Sequence, residues 1–117
     1  IFSAFMLIFV SCYYDSEEAL YPQLSTSCDT TNVTYSTSIV SVLNNNCYSC
    51  HSNKTAASYG NNIHLENYND VVGNIYRVLG SVKHTTGFSD MPKNGGKIKD
   101  CSITQLDIWV RSGMPNN

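Results

Sequence analysis

The 117-residue chain predicts an all-α fold of three to four short helices. Two observations carry that expectation. Apolar residues recur at helical spacing in three separate segments, and the last segment is bracketed by a helix-start pattern and a glycine stop. The length suits one small domain and not two.

From Tyr35 to Asn46, the apolar positions Tyr35, Ile39, Val42 and Leu43 fall on one face of a short helix. Its β-branched residues, Ile39, Val40 and Val42, are weak helix formers, so packing must hold it. A stronger pattern runs from Asn67 to Val82, with Tyr68, Val71, Val72, Ile75, Leu79 and Val82 on one face. Asn67 is the expected N-cap, and Gly80 is expected to fray the helix end. In the last helix Ser102-Ile103-Thr104-Gln105 has the form of a capping box. Ile103, Leu106, Trp109 and Val110 form its apolar face, Gly113 ends it, and Pro115 follows. The Gly- and Asn-rich stretches 52–64 and 83–99 read as loops long enough to need an organising group.

Formal net charge is −2, which argues against a nucleic-acid partner. The charges are segregated. Residues 1–53 hold Asp15, Glu17, Glu18 and Asp29 with no Lys or Arg, and all seven basic residues lie from Lys54 onward. Residues 1–11, IFSAFMLIFVS, are almost wholly apolar but shorter than the about 20 residues that span a bilayer. They read as the apolar remainder of a signal peptide truncated at its start. Phe9-Val10-Ser11-Cys12 resembles a bacterial lipobox, which makes Cys12 the lipidated residue and residues 12–27 an acidic, Ser-rich tether. The competing reading is an ordinary signal peptide with an incidental Cys12. Tyr13-Tyr14-Asp15-Ser16-Glu17-Glu18 is similar to the post-cysteine segment of lipoproteins from Bacteroidetes-type bacteria. On either reading the protein is exported. The expected place is the periplasm or the cell surface, on the outer membrane through a lipid anchor.

Residues 28–117 form the expected domain, and its chemistry centres on Cys47-Tyr48-Ser49-Cys50-His51. C-x-x-C-H is the attachment signature of c-type haem. Two thiols three positions apart on a helical turn reach the two porphyrin vinyl groups, and the adjacent imidazole then lies under the ring to bind iron. A thioredoxin-like redox pair would need a βαβ pattern, which the sequence lacks. A structural zinc site would need four close ligands, and adjacent Cys50 and His51 cannot easily serve one tetrahedral centre. The expected cofactor is one covalent haem c, with His51 as an axial ligand.

The second axial ligand should come from a distant loop. Met91, 40 residues after His51 and followed by Pro92, is the best candidate. A thioether suits low-spin haem iron and raises its reduction potential. Met114 is a competitor near the chain end, and Met6 falls in the signal segment. His84 and His64 would give bis-histidine ligation at lower potential; otherwise His84 would bond a haem propionate and His64 would be a solvated loop residue.

With Cys47 and Cys50 on haem and Cys12 on lipid, Cys28 and Cys101 remain as one pair in an oxidising compartment. Their disulfide would close a loop of about 73 residues, worth roughly 4 kcal/mol in the chain-entropy account.

The segments NNCYSCHS, GFSDMPKNGGKI and SITQLDIWVRSGMPNN, in that order, make residues 28–117 resemble a small class I (mono-haem) cytochrome c domain of bacterial exported proteins. The resemblance implies a cytochrome c fold in which first and last helices cross beside one covalent haem. It also implies thioether bonds at Cys47 and Cys50, axial ligation by His51 and Met91, and one-electron transfer. Trp109 matches an aromatic position that packs near haem in that family, and ordinary core packing is an equally good reading of it. Many members place a Pro soon after the motif, whose carbonyl holds the proximal His; here no Pro lies between Cys50 and Met91. Another acceptor must orient His51, because ligating imidazoles donate their second N–H.

The function expected is that of an electron carrier rather than an enzyme, working alone or as a module of a larger assembly. Lys93, Lys97 and Lys99 cluster after Met91 and read either as a docking patch for an acidic redox partner at the exposed haem edge or as a solvated loop. The alternatives are a peroxidase-like haem enzyme with a labile distal ligand, and a surface lipoprotein that uses haem as a staple or gas receptor.

Overall fold

The structure is a computed structural model that describes residues 28–117. Cys12 and the segments read as signal remainder and tether lie outside the described residues. Within residues 28–117 the regular elements are all helical, with no strand, so the fold is all-α.

Thr34 opens the first helix. Its hydroxyl accepts from the Thr37 N–H at 3.3 Å, satisfying one of the donors a helix start leaves free. Asn117 accepts the next two, Tyr35 N–H on its side-chain oxygen at 3.0 Å and Ser36 N–H on its carbonyl at 2.8 Å. The first turn, Tyr35–Ile39, is π-helical and runs straight into helix α1, Val40–Asn46. Tyr35, Ile39, Val42 and Leu43 are all buried, as their spacing predicts. Cys47 interrupts the helix for one residue before the short α2, Tyr48–His51.

A four-residue helix, α3 (Ala56–Tyr59), stands inside the stretch that reads as loop. Ser52 builds it, because its hydroxyl accepts from the Thr55 N–H at 3.2 Å and fixes the chain one turn ahead. Helix α4, Tyr68–Val82, follows Asn67 as expected, although the Asn67 side chain makes no cap bond to it. Gly80 does not fray this helix. A Cβ at Gly80 would stand 2.5 Å from the Phe88 ring, so the glycine is a slot that receives Phe88 while the helix continues to Val82.

The capping box on the last helix is not formed. Helix α5 spans Asp100–Arg111 and starts two residues before Ser102. The earlier start puts Cys101 in the first turn, where it is disulfide-bonded to Cys28. Gln105, one turn further on, donates to the Asp29 carbonyl at 3.0 Å instead of reaching back to its own helix start. At the far end Gly113 takes φ +88°, a left-handed stop that glycine adopts without steric cost.

The core lies where the first helix, α4 and α5 meet. Ile39, Leu43, Val71, Ile75, Leu106 and Trp109 are its largest fully buried side chains. Tyr35, Tyr68 and Trp109 form an aromatic cluster, with Tyr35 edge-on to Tyr68 at 5.1 Å and 5.5 Å from Trp109 between ring centroids. Such pairs add about 0.5–1.5 kcal/mol beyond the area they bury. The same cluster seals the C-terminal segment, since Tyr68 Oη donates to the Met114 carbonyl at 2.6 Å and Trp109 Nε1 to that of Pro115 at 2.9 Å. Beside this packing, one flank of α4 forms the wall of a cavity, with Val78 and Val82 shared between core and lining.

Candidate functional site

A cavity of about 590 Å³ opens between α2 and the loop that follows α4. That volume falls inside the range of about 300–1,000 Å³ usual for small-molecule and cofactor sites. One wall carries Cys47, Cys50 and His51. The α4 flank contributes Asn74, Arg77, Val78, Ser81 and Val82, and the loop beyond supplies Phe88, Met91, Pro92 and Lys93. Four residues nominated from the sequence for haem attachment and ligation, Cys47, Cys50, His51 and Met91, thus line one cavity.

The turn after α3 orients His51. Asn61 and Asn62 take φ +50° and +57°, left-handed values that Asn tolerates better than most residues. They reverse the chain and lay residues 63–65 alongside α2. His51 Nδ1 then lies 2.8 Å from the Ile63 carbonyl oxygen, and the Leu65 N–H donates to the His51 carbonyl at 2.8 Å. A carbonyl only accepts, so Nδ1 carries the proton and Nε2 keeps its lone pair. Gly60 makes the approach possible: a Cβ there would collide with the Cys50 carbonyl oxygen and stand 2.8 Å from His51 Nδ1. Ile63 is the acceptor that the sequence could not name. Its only advance signal was the Gly60-Asn61-Asn62 turn.

Cys47 and Cys50 are free thiols. Burial raises the Cys47 thiol from its usual value to about 11, whereas Cys50 is exposed. Among the described residues no three His, Cys, Asp or Glu side chains gather as a metal-ion cage. A four-ligand zinc centre therefore has no ligand set among them.

Met91 is held by its backbone on both sides. Its N–H donates to the Ser81 carbonyl at 3.1 Å, and its own carbonyl lies 3.1 Å from His84 Nε2. The Met91–Pro92 peptide is cis. The competing ligands stand elsewhere. His84 does not line the cavity. His64 is a loop residue with its ring nitrogens 3.3 Å from Asn53 Oδ1 and 3.2 Å from Asn62 Oδ1. Met114, at φ +56°, packs against the core.

Trp109 is fully buried in the aromatic cluster and does not line the cavity, so it is a core residue. Of the three clustered lysines, Lys93 lines the cavity mouth; Lys97 and Lys99 are exposed and do not. Arg77 and Lys93 are the charged residues of the lining, and no carboxylate accompanies them. The lining otherwise combines apolar and small polar side chains, two thiols, one imidazole and one thioether. That donor set fits a large, mostly apolar, anionic cofactor with an iron that takes nitrogen and sulfur ligands. Among the described residues no helix is long and apolar enough to cross a membrane. Comparison with known proteins gives no family model, no curated protein and no solved structure that matches this chain.

Proposed function

We propose that this chain is a one-electron carrier, a small mono-haem cytochrome c domain with one haem c bound in the cavity between α2 and the Met91 loop. The observation that carries the reading is the joint presence of Cys47, Cys50, His51 and Met91 around one cavity, although Met91 lies 40 residues from His51 in sequence. The disulfide between Cys28 and Cys101 supports an exported protein, since such bonds persist in oxidising compartments. Anchoring to the outer membrane through lipid on Cys12 completes the proposal.

Bound haem supplies a redox-active iron that gains and loses one electron. The chain's own residues do the rest. Cys47 and Cys50 would form the thioether links. His51 would bind iron through Nε2 while Ile63 holds Nδ1–H, which fixes the ring and raises its basicity. Met91 would supply a second ligand, a thioether that favours the ferrous state. Arg77 and Lys93 would pair with the haem carboxylates. Val78, Val82, Ile63 and Leu65 line the cavity and would exclude water from the bound group. Lys93, with the exposed Lys97 and Lys99 beyond it, would steer an acidic redox partner to the cavity mouth.

Expression with a cytochrome c maturation system, followed by oxidised and reduced absorption spectra, tests the reading. Covalent, low-spin haem is expected in the wild type, and high-spin haem that binds cyanide or CO at rest is expected in Met91→Ala. Absence of covalent haem in the wild type sinks the proposal. Unchanged low-spin spectra in Met91→Ala would move the sixth ligand elsewhere.

A further inference from the structure

Residues 85–90 are all exposed, so apart from Phe88 against Gly80 the segment that delivers Met91 to the cavity has little apolar packing of its own. It is held instead by a ring of hydrogen bonds at the end of α4. The Ser81 carbonyl accepts from both the His84 N–H at 3.2 Å and the Met91 N–H at 3.1 Å. His84 Nε2 lies 3.1 Å from the Met91 carbonyl oxygen, which can only accept, so Nε2–H is the donor. Both backbone polar groups of Met91 are thereby tied to the end of α4 and the turn that follows it. To make this bond His84 adopts φ +55°, a left-handed conformation uncommon for a residue with a Cβ. Its other nitrogen lies 3.9 Å from the Asp90 carboxylate.

We propose that His84 is a positioning residue for the thioether of Met91: it does not touch the cofactor, and its imidazole holds the Met91 backbone so that the side chain stays at the cavity wall. The inference rests on the reading of Met91 as an iron ligand. A thioether delivered by a loose loop is readily displaced by an outside ligand. Restricting the loop before binding lowers the ordering cost of each return to iron. Losing one ordinary hydrogen bond of this kind should favour the detached state by about three- to tenfold.

The test uses the haem-loaded full chain with Cys47, Cys50, His51 and Met91 intact. His84→Gly removes the ring yet tolerates the left-handed backbone, and His84→Gln keeps an amide donor of similar reach. Imidazole is titrated against ferric protein, and the charge-transfer band of thioether-ligated ferric haem is followed. In His84→Gly the apparent imidazole affinity should rise about three- to tenfold and the band should weaken, while His84→Gln should return both toward wild type. Wild-type imidazole affinity and an intact band in His84→Gly, with only a lower melting temperature, would make His84 structural and overturn the inference alone. If Met91→Ala leaves the wild-type band unchanged, the reading of Met91 as ligand fails and the inference fails with it.

Discussion

The Ile63 carbonyl oxygen lies 2.8 Å from His51 Nδ1, and this pairing decides which nitrogen of the ring is available to a metal. Because the carbonyl can only accept, the proton sits on Nδ1 and the lone pair on Nε2. The contact depends on the close pass of residues 60–63 against α2. Gly60 permits that pass by lacking the atom that would strike Cys50 and His51.

Gly60→Ala is therefore expected to destabilise the fold and disturb His51, the proposed iron ligand, together. The obstructing atoms are a backbone carbonyl and a ring that is already hydrogen-bonded, so neither yields cheaply. Overpacking of this kind costs about 1–3 kcal/mol, and each kcal/mol lowers the melting temperature of a domain of this size by about 4–8 °C. Thermal melting with absorption spectra of the haem-loaded variant checks it. A melt equal to wild type would show that residues 60–63 move aside freely.

Arg77→Gln and Lys93→Gln should each lower the reduction potential. Both cations line a cavity that contains no carboxylate, and neither joins an ion pair among the described residues. If haem fills the cavity as proposed, removing positive charge beside it favours the ferric state, by an amount on the order of tens of millivolts at low salt. Because the screening length shortens from about 10 Å at 0.1 M to about 3 Å at 1 M salt, the shift should shrink as salt rises. Potentiometric titration at the two ionic strengths provides the measurement. Potentials that match wild type at low salt would remove both residues from carboxylate binding.

The helices were legible because burial imposes a period. Ile39, Leu43, Ile75, Leu106 and Trp109 each occupy an apolar position of a helical pattern, and all are fully buried. That Cys47, Cys50, His51 and Met91 would meet around one cavity was legible because their residue types carry chemistry. The acceptor for His51 was not, since every residue has a carbonyl and only the chain reversal at Asn61 and Asn62 selects that of Ile63. Local rules also lost to long-range bonds. Ser102 and Gln105 match a capping box, yet the disulfide at Cys101 and the bond from Gln105 to Asp29 set a different helix start. His84 reads in the sequence as an alternative ligand or a propionate partner, whereas its partner in the structure is the Met91 carbonyl, which leaves no mark in a sequence.

In the haem-free chain an alkylating agent should modify Cys50 before Cys47. Cys50 is exposed, and thiolate rather than thiol is the nucleophile. Burial raises the Cys47 thiol to about 11, so below that pH it is mostly protonated and reacts slowly. The same shift has a sign for stability. Between the usual value of 9.0 and about 11 the unfolded chain gives up the Cys47 proton while the folded chain keeps it, so this contribution is full below that window and falls as pH rises through it. Mass spectrometry of a timed reaction at pH 8, with urea melts at pH 8 and 10, measures both effects. Faster labelling of Cys47 than Cys50 at pH 8 would contradict the arrangement.

Cys28→Ser with Cys101→Ser should weaken the fold while leaving the haem spectrum in place. The bond joins residues 73 apart, so its removal frees much of the described chain in the unfolded state. Chain entropy gives about 4 kcal/mol for such a loop, and losses of about 2–5 kcal/mol are usual for native disulfides of small exported domains. Neither cysteine lines the cavity, and the donor from Gln105 to the Asp29 carbonyl still links the two ends. Urea melts of the double variant should therefore shift to lower midpoints, with a low-spin spectrum at room temperature. Loss of that spectrum in protein that remains folded would mean that the tie between Cys28 and α5 governs the cavity as well as the stability of the helices around it.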